Sequence, residues 1–141
     1  MGPMTHHVSV IDRTVSKTHE WLERLSGEMG SEDHQHAYVV LRAVLHALRD
    51  RVGPEVSVHL AAQLPILIRG IFYEGWDPGS TPQKLTLDEF VMRVESEANL
   101  KSSAEAATAT RAVMQCLWEE LAPGTMDHVI AVLPAEFAVV L

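Results

Sequence analysis

Residues 64–78 read Leu-Pro-Ile-Leu-Ile-Arg-Gly-Ile-Phe-Tyr-Glu-Gly-Trp-Asp-Pro, and this stretch decides how the chain is divided. Its first part is apolar at helical spacing, whereas the later glycine and proline favour turns and end helices. It contains three of the eight aromatic residues of the chain, which are Phe72, Tyr73 and Trp76. The stretch therefore predicts the end of one helical unit and a loop that leads into a second.

The segments on both sides of this stretch are predicted to be helical. Apolar residues recur there at three- and four-residue steps, which is the spacing of amphipathic helices. Upstream, the pattern predicts helices over 12–28, 34–52 and 54–71. Downstream, Thr86-Leu-Asp-Glu89 and Ser102-Ser-Ala-Glu105 have the pattern of capping boxes and begin two further helices. A sixth helix is expected after Pro123-Gly124, so the fold class is all-α.

The two segments also resemble each other. When the chain is shifted by 69 positions, 13 of the 58 residue pairs from Asp12 to Arg69 are identical and no gap is needed. Repetition of this length indicates a duplicated structural unit. We therefore predict a six-helix bundle of two pseudo-two-fold-related three-helix repeats. In this division the N-terminus 1–11 is flexible and 12–141 is one domain, with repeats 12–71 and 86–141 joined by the linker 72–85.

Composition and charge restrict the partners. The net charge of −8 is uneven, because residues 1–70 carry a net −1 and residues 71–141 a net −7. An acidic chain without a Lys/Arg cluster repels phosphate groups, which argues against nucleic acid and anionic membranes as partners. No signal peptide is expected at the start, and no apolar run has the roughly 20 residues that span a bilayer. A single cysteine, Cys116, excludes an internal disulfide and fits the cytoplasm.

The stretch 69–78 also resembles a known family. Arg-Gly-Ile-Phe-Tyr-Glu-Gly-Trp-Asp-Pro follows Ala-Ala-Gln-Leu-Pro, and a later Leu-Pro-Ala-Glu-Phe completes the pattern. Over roughly residues 15–140 the chain is similar to the small bacterial proteins of domain-of-unknown-function family 2267. This resemblance implies a compact, all-helical cytoplasmic protein of bacteria. It implies no established activity, substrate or catalytic residue.

The loop after the first unit is the first candidate binding site. Tyr73, Glu74, Trp76 and Asp77 could form an aromatic and acidic contact surface for a partner protein. The same rings could instead fold onto the bundle as a lid between the halves. Both interpretations stay open for Tyr73 and Trp76, because each ring carries a polar group, whereas Phe72 is expected to pack in the core.

Residues that recur in both halves form the second candidate site. Arg42 and Arg111, like His59 and His128, occupy equivalent positions of the repeat. These four side chains could line a cleft between the halves and bind a small ligand, such as a carboxylate held by arginine. Alternatively, the arginines could pair with glutamates of neighbouring helices, and the histidines could be ordinary interface residues. No pattern of strong metal ligands is present and no metal is expected, although the two equivalent imidazoles could meet a metal as an alternative.

Two further repeated features have a structural explanation and a functional alternative. Pro65 and Pro134 are expected to bend the third helix of each half, which would leave the carbonyls of Ala61 and Ile130 under-satisfied and could shape a pocket. The ladders Glu20-Arg24-Glu28 and Glu89-Arg93-Glu97 are expected to be solvated ion-pair stripes, with a pair of polar binding sites as the alternative.

The sequence contains none of the common motifs of catalytic sites. The sequence contains no phosphate-binding glycine loop, nucleophile elbow or dinucleotide fingerprint, and Cys116 lies among apolar neighbours as a small buried residue. We expect no catalytic residue and no cofactor. The sequence favours a non-catalytic protein-interaction or regulatory module whose partner is a protein, including a second copy in a homodimer. A small-ligand-binding protein or enzyme that uses the cleft between the repeats is the alternative.

Overall fold

The computed structural model of the protein describes residues 7–141. Over this range the chain is all-helical, with seven α-helices, two 3-10 segments and no strand. The prediction of flexibility for residues 1–11 falls partly outside the described range, and α1 begins three residues before the predicted start of the domain. The α-helices are α1 (Ser9–Glu28), α2 (His34–Val52), α3 (Pro54–Gln63), α4 (Ile66–Tyr73), α5 (Leu87–Glu97), α6 (Ser103–Glu120) and α7 (Thr125–Ala131), and the 3-10 segments are Pro78–Ser80 and Ala135–Val140.

Local sequence signals position several helix ends. The predicted capping box at α5 is confirmed, because Thr86 and Glu89 each accept a hydrogen bond from the other's backbone N–H. Ser102 caps α6 through the N–H of Glu105, although the Glu105 side chain binds the N–H of residue 101 instead of the cap residue. Gly53 separates α2 from α3 at a φ of 86°, and a Cβ there would also meet the ring of Pro82 at 3.3 Å.

The expected third helix, 54–71, is wrong as one continuous element. It divides into α3 and α4 at Leu64 and Pro65, where Leu64 has an extended backbone with ψ of 146°. Proline has no N–H for the helix ladder, and its ring disfavours a helical conformation of the preceding residue. The same division occurs at Leu133-Pro134, after which a 3-10 segment follows α7. Each proline therefore ends a helix, which is a larger effect than the bend we expected.

In the first half, the backbone carbonyls that lose helical N–H partners at this break accept hydrogen bonds from an arginine side chain. The guanidinium of Arg69 donates to the carbonyl of Ala61 at 2.9 Å, to that of Ala62 at 3.3 Å and to that of Leu64 at 3.0 Å. The expectation of an under-satisfied carbonyl at Ala61 was therefore wrong. Arg69 replaces the lost helical bonds and fixes α4 against the end of α3.

Helix α2 lies at the centre of the fold. It contacts α1, α3, α4, α5 and α6, and every residue from 43 to 53 is buried. A helix surrounded on all sides is expected to be apolar all round. However, this segment contains the charged run Arg49-Asp50-Arg51, and the hydrogen bonds of that run determine how the linker is attached.

Candidate functional site

The aromatic loop, which we define as residues 73–77, is attached to α2 by a buried arginine. The side chain of Arg49 is 4% exposed, and its Nη1 donates to the carbonyls of Phe72 and Glu74, both at 2.9 Å. One turn earlier, Nε2 of His46 donates to the carbonyl of Ile71 at 2.7 Å. Burial lowers the pKa of His46, which favours the neutral ring in this contact.

A buried carboxylate balances the positive charge of Arg49. Asp50 accepts hydrogen bonds from Nε of Arg49 at 2.8 Å and from Nη2 of Arg93 on α5 at 2.7 Å. Burial alone raises the pKa of Asp50, but the hydrogen bonds and charges of the two arginines outweigh it, so the pKa lies below its ordinary value. His46 and Asp50 therefore hold the fold together, although both residue types could ligate a metal.

The far end of the linker is attached to the same helix. The backbone N–H of Gln83 donates to the carbonyl of Asp50 at 2.7 Å, and Nε of Arg51 donates to the carbonyl of Leu85 at 2.8 Å. The linker 72–85 is thus held at both ends by consecutive residues of α2. Such attachment leaves the aromatic loop with few conformations, which lowers the entropic cost of binding a partner.

The loop presents the side chains that the sequence singled out. The rings of Tyr73 and Trp76 are half-buried and pack together with centres 5.1 Å apart, and no described group accepts a hydrogen bond from the buried Nε1 of Trp76. Glu74 is exposed and accepts from Nε of Arg42 at 2.7 Å, a bond that lowers the pKa of this carboxyl. Asp77 is exposed, and Phe72 is buried in the core as predicted.

The four residues of the proposed cleft lie in three places. His59 on α3 and His128 on α7 are together, with nearly parallel rings whose centres are 6.2 Å apart, beside a pocket of about 280 Å³. Arg42 instead binds Glu74 in the aromatic loop. Arg111 donates to the hydroxyl of Thr108 on its own helix. The structure therefore brings the histidines together but does not place either arginine in the lining of their pocket.

The two glutamate–arginine ladders do not form the expected stripes. Arg24 pairs with Glu119 and Glu120 of α6, and not with the glutamates of its own helix. Arg93 retains its predicted pair with Glu97 at 3.1 Å but also reaches buried Asp50. Arg24 and Glu119 correspond to Arg93 and Asp50 when the chain is shifted by 69 positions. The first helix of each half is thus joined to the second helix of the other half.

An exposed apolar surface lies on α1 and α4. The N–H of Leu67 donates to the hydroxyl of Thr14 at 2.9 Å, which fixes the start of α4 against α1. Near the start of α1 and of α4, six aliphatic side chains are each between 40% and 56% exposed. A groove of about 590 Å³ runs beside them along the α3–α4 junction. We call this surface the α1–α4 patch, and it comprises Val8, Val10, Ile11, Val15, Ile66 and Leu67.

The comparison with protein families identifies the family of this chain. A family model described as an uncharacterized conserved protein, DUF2267, matches residues 18–140. The chain belongs to the DUF2267 family. The resemblance found in the sequence is therefore confirmed. The match covers most of the DUF2267 chain, from within α1 to the last 3-10 segment, and it includes the aromatic loop. No curated protein matches the chain.

The described part of the chain contains neither a membrane-spanning helix nor a cluster of metal-ligating side chains. Over residues 7–141, no helix has the combination of length and apolar character required to cross a membrane. Within the same residues, no three His, Cys, Asp or Glu side chains are grouped so that they could hold a metal ion.

Two elements of the candidate functional site were not identified from the sequence. Arg49-Asp50-Arg51 was overlooked because charged residues on a helix ordinarily face solvent. The α1 part of the patch was overlooked because helix 1 was expected to begin at residue 12. A signal existed, since Val8, Ile11 and Val15 continue the apolar spacing of α1 toward its N-terminus.

Proposed function

We propose that the protein is a non-catalytic protein-interaction or regulatory module. Its contact surface combines the α1–α4 patch with the aromatic loop. The observation that carries the proposal is that α4 connects the two. Ile66, Gly70 and Tyr73 are spaced four and three residues apart, so they lie on one side of α4, opposite buried Ile68 and Phe72. Exposed apolar surface continuous with an aromatic loop is typical of protein-binding sites.

The chemistry of the loop indicates the kind of partner. Tyr73 and Trp76 offer large rings whose positions are restrained by the attachment to α2, and Glu74 and Asp77 add carboxylates at their edges. The second half of the chain adds further negative charge. A partner that presents apolar side chains among basic ones would complement this surface in shape and charge.

The finer architecture belongs to the same proposal. We propose that the halves are related by a pseudo-two-fold axis and form the predicted six-helix bundle, each third helix being divided at its proline. The reciprocal pairs Arg24–Glu119 and Arg93–Asp50 support this relation, as does the meeting of His59 with its equivalent His128. We place the protein in the bacterial cytoplasm, a compartment in which a lone thiol persists without a partner.

A crosslinked pull-down from the host, read by mass spectrometry, tests the function. The tagged wild-type protein is compared with Trp76→Ala and with Met92→Ala, a control that removes a 63% exposed apolar side chain from α5. We expect a partner that the wild type and the control recover and that Trp76→Ala loses. If all three proteins recover the same partners, the aromatic loop is not a contact surface and its packing is only structural.

A small-ligand function is the second candidate, and the meeting of the two histidines favours it. His59 and His128 approach each other from α3 and α7 beside their pocket, where two imidazoles could share one ligand. A ligand screen that follows thermal stability in the wild type and in His128→Gln tests this candidate. A ligand that stabilises both proteins equally binds elsewhere.

A further inference from the structure

One side of α1 carries an apolar seam, and this seam continues toward the N-terminus beyond the residues that the neighbouring helices bury. Thr18, Leu22 and Leu25 are buried at the inner end of the helix. At three- and four-residue steps toward the N-terminus, Ile11 and Val15 occupy the same side, yet they are 56% and 40% exposed. This spacing is the heptad pattern by which helices pack against one another. Along the first turns of α1, helix α4 packs beside the seam at Thr14 but leaves Ile11 and Val15 half-exposed.

The surface around this seam is large for a single chain. Six half-exposed aliphatic side chains present on the order of 500 Å² of apolar area, near the upper end for the largest patch of a typical monomer. Two copies placed face to face would bury at most about twice that area, which is close to the roughly 1,000 Å² that a specific interface requires. A second copy is thus sufficient to cover the patch.

The charges beside the patch are also compatible with an identical copy. Asp12, Arg13, Lys17 and Glu20 follow one another along α1, so both signs occur along the rim. Within the chain, Asp12 pairs with His7, and Lys17 pairs with Glu20 and Glu120. Arg13 has no carboxylate partner among the described residues. In a two-fold interface the same surface faces itself, and a rim of mixed sign can place opposite charges together.

We propose that a second copy of this chain covers the α1–α4 patch, in a homodimer with a two-fold interface formed by α1 and α4 of both copies. This inference deepens the proposed function, because it names one partner of the contact surface. It leaves the aromatic loop of each copy at the edge of the interface, where a different protein could still bind. Ile66 and Leu67 lie within the family match, whereas the α1 residues of the patch precede it.

Sedimentation velocity over a range of protein concentrations tests the homodimer. We expect the wild type and the control Met92→Asp to sediment as dimers, and Ile11→Asp to dissociate on the order of 100-fold more readily, because an unpaired carboxylate is costly in an apolar interface. Circular dichroism and thermal unfolding of each variant establish that it is folded. A monomeric wild type at the highest soluble concentration, or equal dimerisation of both variants, would overturn the proposal.

Crosslinking tests the two-fold geometry. Cys116 is 1% exposed and burial raises its pKa to about 12, so an engineered thiol would be the reactive one in the folded protein. Ile11→Cys and, as a control, Met92→Cys are treated with a short bis-maleimide. Efficient dimer formation by Ile11→Cys alone supports the interface, and no preference for it overturns the interface. A monomeric protein would overturn the homodimer but would not affect the pull-down with Trp76→Ala, which tests the aromatic loop. The two proposals can therefore fail independently.

Discussion

Replacement of Asp50 by asparagine should destabilise the protein far more than a surface charge change would. Its carboxylate is buried and is the acidic partner of two arginines, one of which is itself buried. Asp50→Asn removes the negative charge with little change of shape. Arg49 then keeps its bonds to the loop carbonyls, but the amide offers one acceptor oxygen and no negative charge to two guanidinium groups that shared two carboxylate oxygens.

The magnitude follows from the burial of these groups. Removing one partner of a buried ion pair typically costs about 3–5 kcal/mol in the free energy of unfolding. For a domain of this size that cost should lower the melting temperature by roughly 10–17 °C. The matched control is Glu119→Gln, the equivalent position in the second half. Its carboxylate pairs with Arg24 at the surface, where solvent screens the charges, so this change should leave the melting temperature close to that of the wild type.

Urea unfolding followed by circular dichroism, together with thermal scans, measures both variants. The pH dependence gives a second test with a defined sign. The folded-state pKa of Asp50 is lowered, so its contribution is fully present above its unfolded pKa of about 3.9 and is lost as the pH falls through the folded value. Asp50→Asn should therefore lose less stability than the wild type on acidification below about pH 4. Equal destabilisation by the two variants at pH 7 would refute the account of a buried network.

Three further predictions concern other residues. Arg69→Ala should destabilise the protein by about 1–3 kcal/mol in urea unfolding, because three carbonyls at the α3–α4 break lose the guanidinium, although that of Ala61 keeps the N–H of Leu64; stability equal to the wild type would mean that water replaces the guanidinium without cost. The thiol of Cys116 should react with a maleimide only as the protein unfolds, since it is buried and its pKa is about 12; rapid labelling of the native protein would contradict its burial. Zinc should give no heat of binding at His59 and His128 in calorimetry, because no third ligand is grouped with these two rings among the described residues; a heat of zinc binding that His128→Gln abolishes would contradict this.

Local signals in the sequence predicted the helices well. The cap at Thr86 and Glu89 and the Gly53-Pro54 junction depend on a few neighbouring residues, so sequence alone was sufficient. The division at Pro65 was expected only as a bend. Whether a proline bends or ends a helix depends on what satisfies the released carbonyls, and here the donor is Arg69, four residues further along the chain.

The site was harder to predict, because it depends on contacts between distant residues. The aromatic loop was identified from its composition, but its attachment required Arg49, which lies more than 20 residues upstream. Arg42 was expected beside the paired histidines, and it binds Glu74 instead. Equivalence in a repeat predicts related positions but not proximity. His59 and His128 are both equivalent and close together, because their helices α3 and α7 pack against each other.

The central position of α2 implies that neither half of the chain is an independent folding unit, because α2 packs against α5 and α6 of the second half. The first helix of each half is joined to the second helix of the other, through Arg24 to Glu119 and through Arg93 to Asp50. A fragment cut within the linker would therefore expose the surface that its complement normally covers, and the two fragments would regain their cores only by recombining. The intact chain is expected to unfold in one cooperative transition.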